Sequence, residues 1–294
     1  MAKNIRIIPR LDIKGPNLVK GIHLEGLRVL GRPEDFAKFY YENGADELIY
    51  IDVVASLYNR NSLHDIINKT AQEVFIPLTV GGGLRTIEDI RSVLRAGADK
   101  ISLNTAAIKN PNFIHEASRI FGSSTIIVTI EAIKQPNGEY FAYIDNGREY
   151  TGVEIFSWAK RVEQLGAGEI LLTSVDREGT GMGYDLDMVK TMSDLVSIPV
   201  IASGGPGKLA DINKVIVEGH ADAVAIASML HYDAVKSLKI DLSTFTEGNV
   251  EFLKSGNLFT KFDPASLPHI KKYLFDKGVQ CRLGNEQDTY VELK

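Results

Sequence analysis

The chain has 294 residues, with 33 Lys and Arg against 38 Asp and Glu, a formal net charge of −5 and 44% hydrophobic residues. That balance fits a globular protein with one large core, and it excludes the strongly basic surface expected of a nucleic-acid or membrane-surface binder. A single cysteine, Cys281, excludes a disulfide framework and a thiol zinc cluster. No apolar run reaches the ~20 residues of a membrane span, and Arg6 and Arg10 interrupt the opening MAKNIRIIPR where a signal segment would be apolar. A cytoplasmic protein is expected.

In chain order, short apolar strands are predicted at Ile5–Asp12, Glu47–Asp52, Pro77–Val80, Lys100–Asn104, Thr125–Glu131, Glu169–Ser174, Pro199–Ser203 and Ala223–Ala227. Amphipathic helical segments separate them. IEDIRSVLRAG, for example, puts Ile87, Ile90, Val93 and Leu94 on one face behind Thr86 as N-cap. Eight strand-then-helix units favour one closed (β/α)8 barrel over an open doubly wound sheet.

An internal repeat divides this barrel into halves of about 1–122 and 123–236. IPLTVGGGLRTIEDIRSVLRAGADKISLNT aligns with IPVIASGGPGKLADINKVIVEGHADAVAIAS, and NGADELIYID aligns with LGAGEILLTS. From about 237 to 263 the rhythm breaks, which reads as an insertion after the eighth strand. SLPHIKKYLFDKG then supplies a closing helix within about 264–283.

The predicted first strand, within RIIPRLDIK, and the fifth, within IIVTIEAIK, each end in an acid, Asp12 and Glu131. Residues at the C-terminal ends of barrel strands surround the active site. Two facing carboxyls can hold different pKa values, one acting as general acid and the other as base. A lone acid at such a place usually caps a helix or pairs with a lysine; the symmetric placement of two favours chemistry.

Glycine-rich turns follow the third strand (Gly81, Gly82, Gly83) and the seventh (Gly204, Gly205, after Ser203). Asn104 and Thr105, Thr173 and Ser174, and Ala227 and Ser228 end the fourth, sixth and eighth strands. Backbone N–H groups in such turns suit phosphate, so a substrate with a phosphate at each end is expected. Lys20 lies in a glycine-containing loop after the first strand, placed to close over substrate. At the strand beginnings, Arg6, Glu47, Lys100 and Glu169 supply two cations and two anions, a polar plug or the gate of a conduit. Six histidines lack ligand spacing, so no metal is expected.

The motifs RIIPRLDIK, LVKG, DELIYID, TVGGG, GADKISLNTAA, GAGEILLTSVDREGT, GYD and IASGG together resemble the cyclase subunit of imidazole glycerol phosphate synthase, from Arg6 to about Tyr232 and again over the closing helix. The resemblance implies an enzyme of histidine biosynthesis. It would use ammonia, delivered through the barrel by a glutaminase at the N-terminal face, on a bis-phosphorylated ribulosyl aminoimidazole carboxamide nucleotide. The products would be imidazole glycerol phosphate and the carboxamide ribonucleotide. Asp12 and Glu131 match the catalytic carboxylates and Lys20 the mobile-loop lysine. Gly82, Gly83, Asn104, Thr105, Thr173, Ser203, Gly204, Gly205, Ala227 and Ser228 match the substrate side. Arg6, Glu47, Lys100 and Glu169 match the ammonia gate, and Asp99 a glutaminase-facing charge. No metal or organic cofactor is implied.

Two residues depart from that pattern: Glu131 stands where the family has aspartate, and Arg10 where it usually has cysteine. The insertion is a third departure. Together they admit a second expectation, a related barrel that channels ammonia for amidination of a nucleotide-sugar acetamido group.

Overall fold

The computed structural model describes residues 4–55, 63–238, 240, 249–250 and 261–283. The first quarter contains β1 (Arg6–Lys14), β2 (Asn17–Ile22), β3 (Glu25–Gly31), α1 (Pro33–Glu42), β4 (Leu48–Asp52) and α2 (His64–Glu73). Then come β5 (Leu78–Gly81), α3 (Ile87–Arg95), β6 (Lys100–Leu103), α4 (Thr105–Lys109) and α5 (Asn112–Phe121). The second half opens with β7 (Ile126–Lys134), β8 (Tyr140–Ile144), β9 (Glu149–Glu154) and α6 (Ile155–Gln164). It continues through β10 (Glu169–Ser174), α7 (Leu186–Leu195), β11 (Val200–Ser203), α8 (Leu209–Val217), β12 (Ala223–Ile226), α9 (Ser228–Ser237) and α10 (Leu267–Asp276).

Parallel pairing runs β1-β4-β5-β6-β7-β10-β11-β12 and returns to β1, where Arg6 faces Ala223. The result is the closed (β/α)8 barrel expected, its strands falling within a few residues of their predicted places. Helix α3 starts at Thr86 as anticipated: the hydroxyl accepts from Asp89 N at 3.1 Å, and the Asp89 carboxylate accepts from Thr86 N at 2.9 Å.

A repeated device pins the strand beginnings. Asp46, Asp99 and Asp222, each just ahead of an even-numbered barrel strand, accept from the backbone N–H of Ile7, Leu78 and Val200 at 2.7, 2.9 and 2.9 Å. The first N–H of a strand would otherwise lack a partner at the barrel rim. This explains why the GAD motif recurs, and it gives Asp99 a structural duty besides any facing a partner. Asp46 also takes Lys271 of α10 at 2.7 Å, which ties the closing helix to the barrel.

Two hairpins were not foreseen. β2 and β3 extend β1, and β8 and β9 extend β7, both antiparallel and both standing above the C-terminal ends of the barrel strands. They occupy equivalent places in the two halves. Lys20, read as a loop residue, lies in β2.

Most of the expected insertion, 237–263, lies outside the described residues. Its described parts touch the upper face: Val29 N of β3 donates to Asn249 O at 2.9 Å, and Asp263 N to Gly207 O at 2.7 Å.

The main core fills the space between barrel and helices. A second, smaller cluster of Ile8, Ile49, Ile127, Leu171, Ile201, Ala223 and Ala225 fills the barrel itself. Side chains alternate along a strand. On β1, therefore, Arg6, Ile8, Arg10 and Asp12 share the inward face.

Candidate active site

The barrel interior reads as layers from floor to mouth. The floor is the charged ring: Arg6 donates to Glu47 Oε1 and Glu169 Oε2, both at 2.7 Å, and Lys100 donates to Glu47 Oε2 at 3.1 Å and Glu169 Oε1 at 2.7 Å. Each cation thus touches both acids. Burial opposes charge on Glu169, but its bonds to Arg6 and Lys100 outweigh that and hold its carboxyl below the usual range. The four residues predicted from strand beginnings are brought together. Above them lies the dry isoleucine and leucine layer.

At the mouth stand Arg10, Asp12, Lys20, Glu131 and Glu178, all buried. Arg10 Nε donates to Asp12 Oδ1 at 2.9 Å, while its Nη1 donates to Thr173 Oγ1 at 3.0 Å and Ser203 Oγ at 3.1 Å. Lys20 Nζ lies 3.4 Å from Asp12 Oδ2 and donates to Glu178. Burial alone would raise the Asp12 carboxyl; Arg10 and Lys20 reverse the effect and hold it below the ordinary value.

Glu131 is treated differently. It accepts from Gly147 N at 2.8 Å, in the turn between β8 and β9, and makes no ion pair among the described residues. Burial is the dominant influence, only partly offset by Arg10 and Gly147, and lifts its pKa to about 7. Two carboxyls with opposed proton affinities stand at equivalent strand ends, the arrangement that acid–base catalysis requires.

Two spaces flank these acids. The larger, about 410 Å³, is lined by Gly82, Gly83, Asn104, Thr105, Arg10 and Glu131, with Arg85 and Lys109 at its edge. The smaller, about 10 Å³, is lined by Ser203, Gly204, Gly205, Ala227, Ser228 and Glu178, with Phe262 over it. The twofold repeat is preserved in the backbone. Asn104 (φ −128°, ψ −85°) and Ala227 (φ −115°, ψ −81°) hold the same conformation before α4 and α9. Gly82 at φ 98° and Gly204 at φ 93° are both required: a Cβ would meet Asp52 O at 2.3 Å in one and Ser174 O at 2.6 Å in the other.

Room is what differs. The space beside Gly82 and Gly83 is open, while the one beside Gly204 and Gly205 is narrow, with Glu178 and Phe262 in its lining.

Glu178 was missed by sequence reading. Its acid partners a lysine 158 positions away, and only the burial of Lys20 would have demanded it. Arg10 enters the sequence reading only as a departure from the resembled pattern, without its bonds to β10 and β11. Among the described residues, no three His, Cys, Asp or Glu side chains gather as a metal-holding set, and no helix is long and apolar enough to cross a membrane.

A closed (β/α)8 barrel with two buried acids and two matching glycine turns at its upper rim defines the class: a (β/α)8-barrel enzyme. The sequence profile described as "Histidine biosynthesis protein" matches residues 6–236. The chain is 58% identical over 210 residues to the imidazole glycerol phosphate synthase subunit HisF of Legionella pneumophila, covering 71% of this chain and 99% of that one. It is 49% identical to the subunit HisF of Methanocaldococcus jannaschii over 95% of this chain and 98% of that one. With the HisF subunit of Alkaliphilus metalliredigens it shares 48% identity over 78% and 91% of the two chains. The chain belongs to the HisF family of imidazole glycerol phosphate synthase subunits.

Proposed function

We propose that this chain is the cyclase subunit of imidazole glycerol phosphate synthase, an ammonia-dependent lyase of histidine biosynthesis that works in the cytoplasm beside a glutaminase subunit. The observation that carries the reading is the unequal carboxyl pair. At neutral pH Asp12 is a carboxylate able to take a proton, and Glu131, with a pKa of about 7, retains one to give. Asp12 accepts the proton released as ammonia adds to the bis-phosphorylated nucleotide. Glu131 protonates the leaving side as the carboxamide ribonucleotide departs and the imidazole closes.

The larger cavity takes one phosphate against Gly82, Gly83, Asn104 and Thr105. The other phosphate binds at Ser203, Gly204, Gly205, Ala227 and Ser228, drawing Lys20 away from Glu178 as it does so. The floor ring of Arg6, Glu47, Lys100 and Glu169 admits ammonia from a glutaminase docked at the strand beginnings, where Asp99 is exposed. The relatives compared all carry the histidine-pathway name, which favours this reading over amidination of a nucleotide-sugar acetamido group.

Purified chain, given ammonium salts and the bis-phosphorylated nucleotide, is expected to release imidazole glycerol phosphate. Absence of product from mildly acidic to mildly alkaline pH would sink the proposal.

A further inference from the structure

Asp12 touches two cations, and they differ in kind. Lys20 sits on the β2–β3 hairpin outside the barrel, its ammonium shared with Glu178. Arg10 sits within barrel strand β1, 1% exposed, with its far nitrogen anchored on Thr173 of β10 and Ser203 of β11. A guanidinium is a planar fork, so bonds at Nη1 fix the direction in which Nε points. That direction is Asp12 Oδ1, at 2.9 Å. The hairpin lysine can leave Asp12 when substrate enters; the arginine, held on three barrel strands, cannot.

We propose that Arg10 is a positioning residue for the reaction: it holds Asp12 by Oδ1, so that Oδ2 is the oxygen that takes the substrate's proton. This rests on the assignment of Asp12 as base made above. Once Lys20 swings to the substrate, Arg10 is the cation that remains on Asp12 and keeps it ionised in a buried place. Arg10 also acts on the second acid, because its charge offsets part of the burial that raises Glu131. One side chain therefore lowers the proton affinity of both carboxyls.

The test compares wild type, Arg10→Met and Arg10→Lys in ammonium-driven turnover across pH, alongside 13C NMR titration of the Asp12 carboxyl without substrate. Arg10→Met is expected to lower kcat roughly a hundredfold, the scale of a 1 Å misplacement. It should also move both limbs of the pH–rate profile, and the Asp12 titration midpoint, to higher pH. Arg10→Lys retains the charge without the fork, so its limbs stay near wild type while kcat falls by an intermediate factor. Wild-type kcat in either variant would overturn the proposal. So would a loss equal at every pH, or an Asp12 midpoint unmoved in Arg10→Met. Should Arg10→Met not fold, the Arg10→Lys kcat decides. If wild type itself fails to turn over, the cyclase reading is lost, and the Asp12 midpoint still judges Arg10.

Discussion

The two ends of the barrel interior use the same residue types and reach different electrical states. At the floor, two cations and two acids form a closed circuit in which each charge has two opposite neighbours. At the mouth, two cations face three acids, and Glu131 is left over with one backbone N–H. A balanced ring makes rigid structure. An unbalanced one leaves an acid whose pKa is raised to about 7, so it exchanges its proton near neutral pH. The two ends therefore differ in pairing more than in residue type: among the described residues the mouth leaves Glu131 without an ion-pair partner.

The largest expected effect comes from removing the mouth's base. Asp12→Asn preserves shape but cannot accept a proton, and should lower ammonium-driven turnover by about 10²–10⁴-fold. Circular dichroism should show the barrel intact, with a lowered melting temperature because Arg10 and Lys20 lose a partner. Turnover at the wild-type rate would remove Asp12 from the mechanism.

Glu131 offers a test through stability. Its folded pKa of about 7 lies above the ordinary 4.5, so the native state holds a proton that the unfolded chain releases. Stability therefore falls as pH rises from about 4.5 through 7, by at most about 3 kcal/mol. Glu131→Gln removes that fall. Thermal melts should show the variant gaining on wild type at pH 8 and matching its trend at pH 4, whereas parallel curves would mean that folding does not raise the Glu131 pKa.

Lys100→Ala probes the floor. It leaves Glu47 and Glu169 with Arg6 alone, a loss of about 2–4 kcal/mol, at or below the range for breaking a fully buried pair. If the ring gates a conduit, turnover should fall with glutamine and a glutaminase while staying near wild type with ammonium salts. Equal losses under both nitrogen sources, tracking the melting temperature, would make the ring a plug only. The smallest effect belongs to Glu131→Asp, which restores the family's usual side chain and should hold or raise the cyclisation rate; a loss of tenfold or more would show that this mouth is built around the longer acid.

The barrel was legible because its strands are short and apolar and its helices amphipathic, and because Asp12 and Glu131 interrupt strands where polarity needs a reason. The floor ring was legible for the same cause: charges at strand beginnings must face something. What escaped was set by pairing across long separations. NLVKGI and EGLRVLG carry glycines and no clean alternation, so β2 and β3 looked like a loop; only their ladder with β1 makes them strands. Glu178 and the anchoring of Arg10 were invisible because their partners lie 158, 163 and 193 positions away. The narrower space beside Gly204 and Gly205 has Phe262 in its lining, a residue far along the chain from β11.

The meeting of β1 with the segment after α10 has a consequence for how the chain can be cut. Ile5 N donates to Gln280 O at 2.8 Å, and Ile5 pairs in parallel with Cys281. Two stretches far apart in sequence are thus spatial neighbours at the bottom of the barrel. Gly122 lies between α5 and β7, where nothing packs against the missing Cβ. The linear order of the chain is then one opening of a ring among several. A gene rearranged to begin after Gly122, with a linker joining Cys281 to Ile5, would encode every barrel pairing described above. It would also bring the two strands bearing Asp12 and Glu131 off the ribosome in the opposite sequence.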